Sequence, residues 1–333
     1  MSHSNPIFRA MPTEASIFVA GHRGMVGAAI VRRLQAEGYA NLLLRSSAEL
    51  DLRDQAAVGK FFASERPDYV FLAAARVGGI IANSTRKGEF IYDNLMIQTN
   101  VIHGSYTCDV KRLLFLGSTC IYPKFAPQPI KEEYLLTGPL EPTNDAYAIA
   151  KIAGIAHCRS YNNQYGTRYL SAMPNNLYGP NDSFDLTNSH VLPALIRKFH
   201  EAKVTGAAAV TVWGSGSPLR EFMHVDDLAA ASLFLINLPE DAYSSLLNDT
   251  SAPALVNVGS GQEISIADLA RLVQNVVDFK GDLVFDTSKP DGTPRKLADS
   301  SRLHALGWQH RINLEEGVRD AYRWFVDQAA FTS

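Results

Sequence analysis

Ser16-Ile17-Phe18-Val19-Ala20-Gly21-His22-Arg23-Gly24-Met25-Val26-Gly27 is a short apolar run that breaks into three glycines spaced three apart. The sequence then continues as a helix through Glu37, with Gly38 placed to close it. Strand, glycine turn and helix make one βα unit. With no Cβ at 21, 24 and 27 the turn backbone can approach a pyrophosphate, and the helix N-terminus directs its free N–H groups at the same point. A G-x-x-G-x-x-G string alone also fits a turn that holds no ligand. Its position between the first strand and the first helix makes it a dinucleotide loop.

Outward from that unit, apolar runs at Asn41 to Arg45, Asp68 to Ala75, Arg112 to Gly117 and Tyr169 to Pro174 read as strands. Helical stretches lie between them at Asp54 to Ser64, Gly88 to Asp109 and Tyr147 to Tyr165. Runs that are apolar throughout are strands covered on both faces, so the alternation predicts an α/β, Rossmann-type, doubly wound parallel sheet. Residues 15–175 form that dinucleotide-binding domain. Past about 175 the sequence loosens into Asn, Gly and Pro clusters with helices near Val191 to Ala202 and Ile266 to Phe279, which predicts a smaller C-terminal substrate-binding lobe over 176–330. Within it, 222–237 and 256–259 read as core pieces returning to the first domain. Residues 1–14 lack the apolar segment of a secretory signal and read as a mobile leader, with Met11 a second possible start.

Composition narrows the partners. The 333 residues are 46% hydrophobic and carry a formal charge of −3, so no broad basic surface points to nucleic acid or an anionic membrane. Cys108, Cys120 and Cys158 have neither disulfide density nor zinc-site spacing, and no metal is expected. No apolar run reaches the roughly 18–20 residues of a membrane span. The expectation is a cytoplasmic protein with a small-molecule partner.

At the end of the second strand an acidic residue would bind a ribose 2′-hydroxyl, whereas this chain has Arg45, with Arg23 in the glycine loop. Two guanidiniums suit a 2′-phosphate and favour NADP over NAD. Asp51 and Leu52 follow as candidates to flank the adenine. Tyr147 and Lys151 stand four apart on one helix face, and Ser118 follows the end of a parallel strand, where ligands of such sheets bind. A nearby ammonium and an oxidised nicotinamide are expected to draw the phenol down from its ordinary pKa of about 10, making Tyr147 a usable proton donor.

The glycine loop, Ser118-Thr119-Cys120-Ile121-Tyr122-Pro123 and Tyr147-x-x-x-Lys151 together resemble the extended short-chain dehydrogenase/reductase family. The likeness runs from about Ile17 to Trp324. It takes in Ala75-Arg76-Val77-Gly78-Gly79-Ile80, Asn175-Asn176-Leu177-Tyr178-Gly179-Pro180 and Lys289-Pro290-Asp291-Gly292-Thr293-Pro294-Arg295-Lys296. The resemblance implies epimerisation at C3 and C5 of a 4-keto nucleotide sugar, followed by NADPH reduction at C4. Both carbons are α to the ketone, so one oxyanion stabiliser at O4 can serve every step.

Further roles come by resemblance. Cys120 and His190 move the protons at C3 and C5, without the sequence saying which serves which carbon; on residue type alone they read as a buried thiol and a loop histidine. If strand geometry persists past Ser118, the Cys120 thiol projects to the same side. The implied cofactor contacts are Gly21 to Gly27, Leu116-Gly117-Ser118, Lys151, Pro174-Asn175-Asn176-Leu177 and His190. Lys198, Trp213, Arg220, Asp291 and Lys296 are the implied substrate contacts, Trp213 reading equally as a packing residue. Arg220 begins Arg-Glu-Phe-Met-His-Val-Asp-Asp, which argues for a nucleotide sugar without choosing the base. Ser47 departs from the family pattern, which often carries a second basic residue there. A homodimer through the helices at 88–109 and 147–165 is implied by analogy. Against a sugar-nucleotide 4,6-dehydratase stands the absence of a carboxylate in Thr119-Cys120-Ile121, and against an NAD-holding 4-epimerase stand Arg45 and Cys120. The intact Ser118, Tyr147 and Lys151 speak against a regulatory NADP-binding module.

Overall fold

The computed structural model describes residues 11–186, 189–249, 253–289 and 291–332. In chain order the first part runs β1 (Ile17–Ala20), α1 (Met25–Ala36), β2 (Leu42–Leu43), α2 (Gln55–Glu65), β3 (Tyr69–Leu72), α3 (Ile80–Thr85), α4 (Lys87–Thr107), β4 (Arg112–Leu116), α5 (Asp145–Tyr165) and β5 (Tyr169–Pro174). There follow β6 (Asn176–Tyr178), α6 (Val191–Thr205), β7 (Ala209–Trp213), β8 (Leu219–His224), α7 (Val225–Ile236), α8 (Glu240–Asn248), β9 (Leu255–Val258) and β10 (Glu263–Ser265). The chain ends with α9 (Ile266–Val277), β11 (Asp282–Asp286), β12 (Arg295–Lys296), α10 (Ser301–Ala305) and α11 (Leu314–Thr332).

Six parallel strands form the main sheet in the order β2-β1-β3-β4-β5-β9. Every residue of β1, β3, β4, β5 and β9 is buried because both faces are covered. On one side Phe61 and Phe62 of α2, Val101 and Ile102 of α4 and Ile155 of α5 pack onto Phe18, Val70 and Phe115. On the other, Ile30 and Leu34 of α1 meet Leu228 and Leu235 of α7 over Ile17, Val19 and Leu114. The second half of the chain thus contributes α7 and β9 to the first layer system, β9 pairing with β5 from Ser171↔Leu255 to Pro174↔Val258. The strand order reverses between β1 and β3. The crevice outside those strand ends is where an open α/β sheet holds its ligand.

The smaller layer system is built from β10-β8-β12 with β6 on β8, the parallel pair β7–β11, and helices α6, α9 and α11. Leu195 and Phe199 of α6, Leu269 and Val273 of α9 and Val318 of α11 close its core. Among the described residues no helix is long and apolar enough to cross a membrane, and no cluster of His, Cys, Asp or Glu has the make-up of a metal site.

One expectation is overturned at the start of the chain. Met11 is fully buried in the core between α1 and α7. Its N–H donates to Asn237 Oδ1 at 3.0 Å, and its carbonyl accepts from the Tyr39 hydroxyl at 3.1 Å. The mobile leader therefore cannot extend to residue 14: a buried thioether with both backbone groups satisfied is anchored. Residues 1–10 lie outside the described residues.

Candidate active site

A cleft of about 1690 Å³ opens at the C-terminal ends of β1, β3, β4 and β5 and continues beneath the smaller lobe. At its floor Gly21 has φ +84, and a Cβ there would lie 2.7 Å from Ala74 Cα; one on Gly27 would lie 2.1 Å from Gly21 O. The loop and the start of α1 are pressed together in a way that only glycine permits. Gly21, Gly24, Met25, Val26 and Gly27 line the cleft, while His22 and Arg23 share the loop without lining it, the Arg23 side chain being exposed. A pyrophosphate fits this cradle, whose N–H groups stand at the head of a twelve-residue helix.

Arg45, Asp51 and Leu52 also line the cleft. Arg45 is held at its mouth by Glu65 at 2.8 Å and by the Leu44 carbonyl at 3.0 Å. Arg53, which sequence reading passed over, lines the same wall and pairs with Asp51 at 2.8 Å and Asp93 at 3.2 Å. Its signal was its place directly after Asp51-Leu52. Leu116, Gly117, Pro174, Asn175, Asn176 and Leu177 form the next stretch of lining.

Ser118, Cys120, Tyr147, Lys151 and His190 all line the cleft, Cys120 acting on Tyr147 and Lys151, and Lys296 acting on both Cys120 and His190. The strand does not persist past Ser118: Thr119–Ile121 is a single 3₁₀ turn, and Ser118 Oγ accepts the Cys120 N–H at 3.3 Å. Cys120 reaches the cleft because the turn folds it there, not through the alternation expected of a strand. Lys151, 3% exposed, donates to the Leu116 carbonyl at 2.7 Å, with its Nζ 5.7 Å from the centre of the Tyr147 ring. His190 stands at the N-cap position of α6, its side chain making no capping hydrogen bond, and opens onto the cleft.

Burial governs the protonation of this cluster. It pushes Lys151 down to about 8 and Tyr147 well above the ordinary phenol range, with Cys120 adding to the rise of the phenol. The lowering of Tyr147 by Lys151 foreseen from spacing is absent; the chain's own effect is desolvation of both groups. Cys120 is raised by burial against the opposing pull of Lys296, the Ser118 hydrogen bond and Lys151, and His190 is lowered by burial and then by Lys296.

Lys198, Trp213, Arg220, Asp291 and Lys296 also line the cleft, Lys296 close enough to Cys120 and His190 to act on both. Arg220 and Lys296 are register partners on β8 and β12. Trp213 is 63% exposed, with the Lys198 and Lys289 ammonium groups 5.5 and 5.8 Å from its ring centre, so packing is not its role. Asp291 accepts from the Ser215 N–H at 2.9 Å and the Ser215 hydroxyl at 2.7 Å, ordering the glycine turn after β7. The Pro290 position of the motif lies outside the described residues. Glu141 was not foreseen: it lines the cleft from the loop before α5 and pairs with Lys124 at 3.0 Å. Desolvation raises its pKa, but Lys124 and the Thr143 contacts outweigh that and keep it ionised.

Residues 17–259 match the model of the NAD dependent epimerase/dehydratase family. GDP-L-fucose synthase 1 of Arabidopsis thaliana is 61% identical over 312 residues, 94% of this chain and 93% of that one. GDP-L-fucose synthase of Escherichia coli (strain K12) is 57% identical over 93% of this chain and 96% of its own length. Among solved structures, a GDP-D-glycero-L-gluco-heptose synthase from Campylobacter jejuni, in the presence of NADPH, aligns with TM-score 0.88 at 41% identity, covering 95% of this chain and 99% of that one. A GDP-L-fucose synthetase from Naegleria fowleri bound to NADP aligns with TM-score 0.85 at 29% identity, covering 96% of each chain.

Proposed function

The chain belongs to the NAD dependent epimerase/dehydratase family, and from that premise we propose that it is a GDP-L-fucose synthase. It converts GDP-4-keto-6-deoxy-D-mannose to GDP-L-fucose by epimerisation at C3 and C5 and NADPH-dependent reduction at C4. The observation that carries the reading is the meeting of two chemistries in one cleft. A proton-transfer pair, Cys120 and His190, faces the same space as the Ser118, Tyr147 and Lys151 cluster expected of a reductase. A simple reductase has no use for the first pair.

Each group has a defined task. When bound, NADPH supplies the hydride for C4. The Tyr147 and Ser118 hydroxyls donate to O4 while a proton leaves C3 or C5, holding the negative charge on oxygen, and Tyr147 later gives O4 its proton. Burial holds the Cys120 thiol up, and His190, solvent-exposed at the cleft rim, is drawn down by partial desolvation in the cleft and by Lys296, so the resting pair holds one group ready to give a proton and one ready to take it. Lys151 anchors the cofactor ribose beside Tyr147. Arg220, Lys296 and Lys198 meet the diphosphate, and Trp213 offers its face to the base. Arg45 faces the 2′-phosphate.

The protein acts as a homodimer through the outer faces of α4 and α5. That reading is supported by Tyr92 and Ile149, 60% and 47% exposed on those helices, and by the cluster of His103, Tyr106, Tyr161 and Tyr165 rings across them. Sedimentation of the purified protein tests it, a monomer at micromolar concentration counting against.

The activity is tested by incubating the protein with NADPH and GDP-4-keto-6-deoxy-D-mannose in deuterated water, reading deuterium at C3 and C5 by NMR beside NADPH consumption. Wild type incorporates at both carbons. Cys120→Ser is expected to lose incorporation while still binding NADPH, because a serine hydroxyl is far less acidic than a thiol. Full incorporation by that variant would return Cys120 to a structural role.

A further inference from the structure

Glu221 follows Arg220 on β8 and points the other way. Where Arg220 faces the cleft, the Glu221 side chain enters the seam between the main sheet and the smaller lobe and has no exposed surface. Its carboxylate is filled by donors from three separate segments. Oε1 accepts the Gly261 N–H at 2.7 Å and the Ser260 hydroxyl at 3.5 Å, both just after β9. Oε2 accepts the Ala298 N–H at 3.0 Å, two residues beyond Lys296, and the side-chain amide of Asn175 at the end of β5. The Glu221 carbonyl in turn accepts from Asn176 Nδ2 at 2.8 Å.

Both arms of this network end at the chemistry. Asn175 Oδ1 accepts from the Thr119 hydroxyl at 3.4 Å, and Thr119 is the residue between Ser118 and Cys120. The Ala298 contact fixes the strand on which Lys296 lies in register with Arg220. We infer that Glu221 is a positioning residue, setting the turn that carries Ser118 and Cys120 against the Arg220–Lys296 wall that receives the diphosphate. A carboxylate suits this place because it only accepts, and four donors converge on it. Glutamine cannot replace it: whichever way its amide is turned, an N–H group confronts a backbone N–H, at Gly261 or at Ala298, that cannot be reversed. Gly259 also belongs to the device, since a Cβ there would lie 2.2 Å from Glu221 Oε1.

The inference rests on the proposed activity for the identity of the substrate, and its test includes readouts independent of turnover. Glu221→Gln is compared with wild type for KM and kcat on GDP-4-keto-6-deoxy-D-mannose, for Kd of GDP and of NADPH, and for melting temperature. Displacement of the phosphate-binding wall by a fraction of an ångström is expected to raise KM and the GDP Kd about tenfold, with a fall in kcat of similar size from the shifted Ser118–Cys120 turn. Gly259→Ala keeps the charge but pushes the carboxylate out of place, and is expected to reproduce the same changes. It also serves where Glu221→Gln does not fold. A lower melting temperature with KM, kcat and both Kd values within about twofold of wild type would mean that Glu221 is only a structural tie, and would overturn the inference. Failure of wild type to turn over the keto sugar would instead sink the proposed activity, leaving the GDP Kd of the two variants to judge the positioning role.

Discussion

Lys151→Met separates stability from function at the centre of the cleft. The ammonium is 3% exposed, and burial lowers its pKa from 10.5 to about 8. That difference, about 2.5 units, corresponds to about 3 kcal/mol by which the fold disfavours the charged form. The sign follows from which state holds the proton. Below about pH 8 the lysine is charged in both states and the cost is present in full; between about 8 and 10.5 the folded protein releases the proton while the unfolded chain keeps it, and the cost is relieved. Methionine carries no such cost at any pH. Losing the 2.7 Å bond to the Leu116 carbonyl opposes the gain by about 1–3 kcal/mol at every pH. At pH 7 the variant is therefore expected to be as stable as wild type or more so, by up to about 2 kcal/mol. Between pH 7 and 9.5 the stability difference should move toward wild type by about 2 kcal/mol, the share of the relief that accrues over that interval. Urea unfolding of both proteins at the two pH values measures this, with NADPH titration showing the loss of affinity that accompanies it. A stability difference that does not change with pH would refute the claim that Lys151 is held as a desolvated ammonium.

Other expectations follow from single contacts. Tyr147→Phe should retain the NADPH Kd of wild type while turnover falls about 10²–10⁴-fold, because the ring still packs and only the proton donor is gone; near-normal turnover would remove Tyr147 from the mechanism. Met11→Ala should lower unfolding stability in urea by about 2–5 kcal/mol, and deletion through residue 11 should do at least as much; no change would show that the buried side chain contributes nothing. Arg45→Ala should bring the kcat/KM values for NADPH and NADH together if the guanidinium lining the cleft mouth binds the 2′-phosphate as proposed; undiminished preference for NADPH would move that role to Arg53 or Arg23.

The parallel sheet was legible because burial on both faces leaves unbroken apolar runs. Tyr169–Pro174 appears in the structure with the bounds read from sequence, and the others differ by shortened ends, as with β3, which stops at Leu72. Segments that return from the second half, α7 and β9, were also visible as apolar pieces in a polar neighbourhood. Met11 was not. Met11 follows Ile7, Phe8 and Ala10 in a run too short to show a helix or strand period, and its anchoring depends on Asn237 and Tyr39, neither of which is near it in sequence.

The lining of the cleft was legible as a set of residues, His22 and Arg23 apart, but not as a set of charges. Spacing placed Tyr147 and Lys151 on one helix face, and family motifs brought Ser118, Cys120 and His190 to the same cleft; none of this depends on how deeply the groups are covered. A pKa does. The effect of Lys151 on Tyr147 was read from proximity, yet desolvation acts on both groups first and drives the phenol up while driving the lysine down. The consequence is mechanistic: the chain alone leaves Tyr147 firmly protonated, which is the form needed to hold the charge on O4 during epimerisation and to deliver a proton at reduction. A cofactor bound beside Lys151 would supply the hydride for C4, with Tyr147 giving the proton to O4.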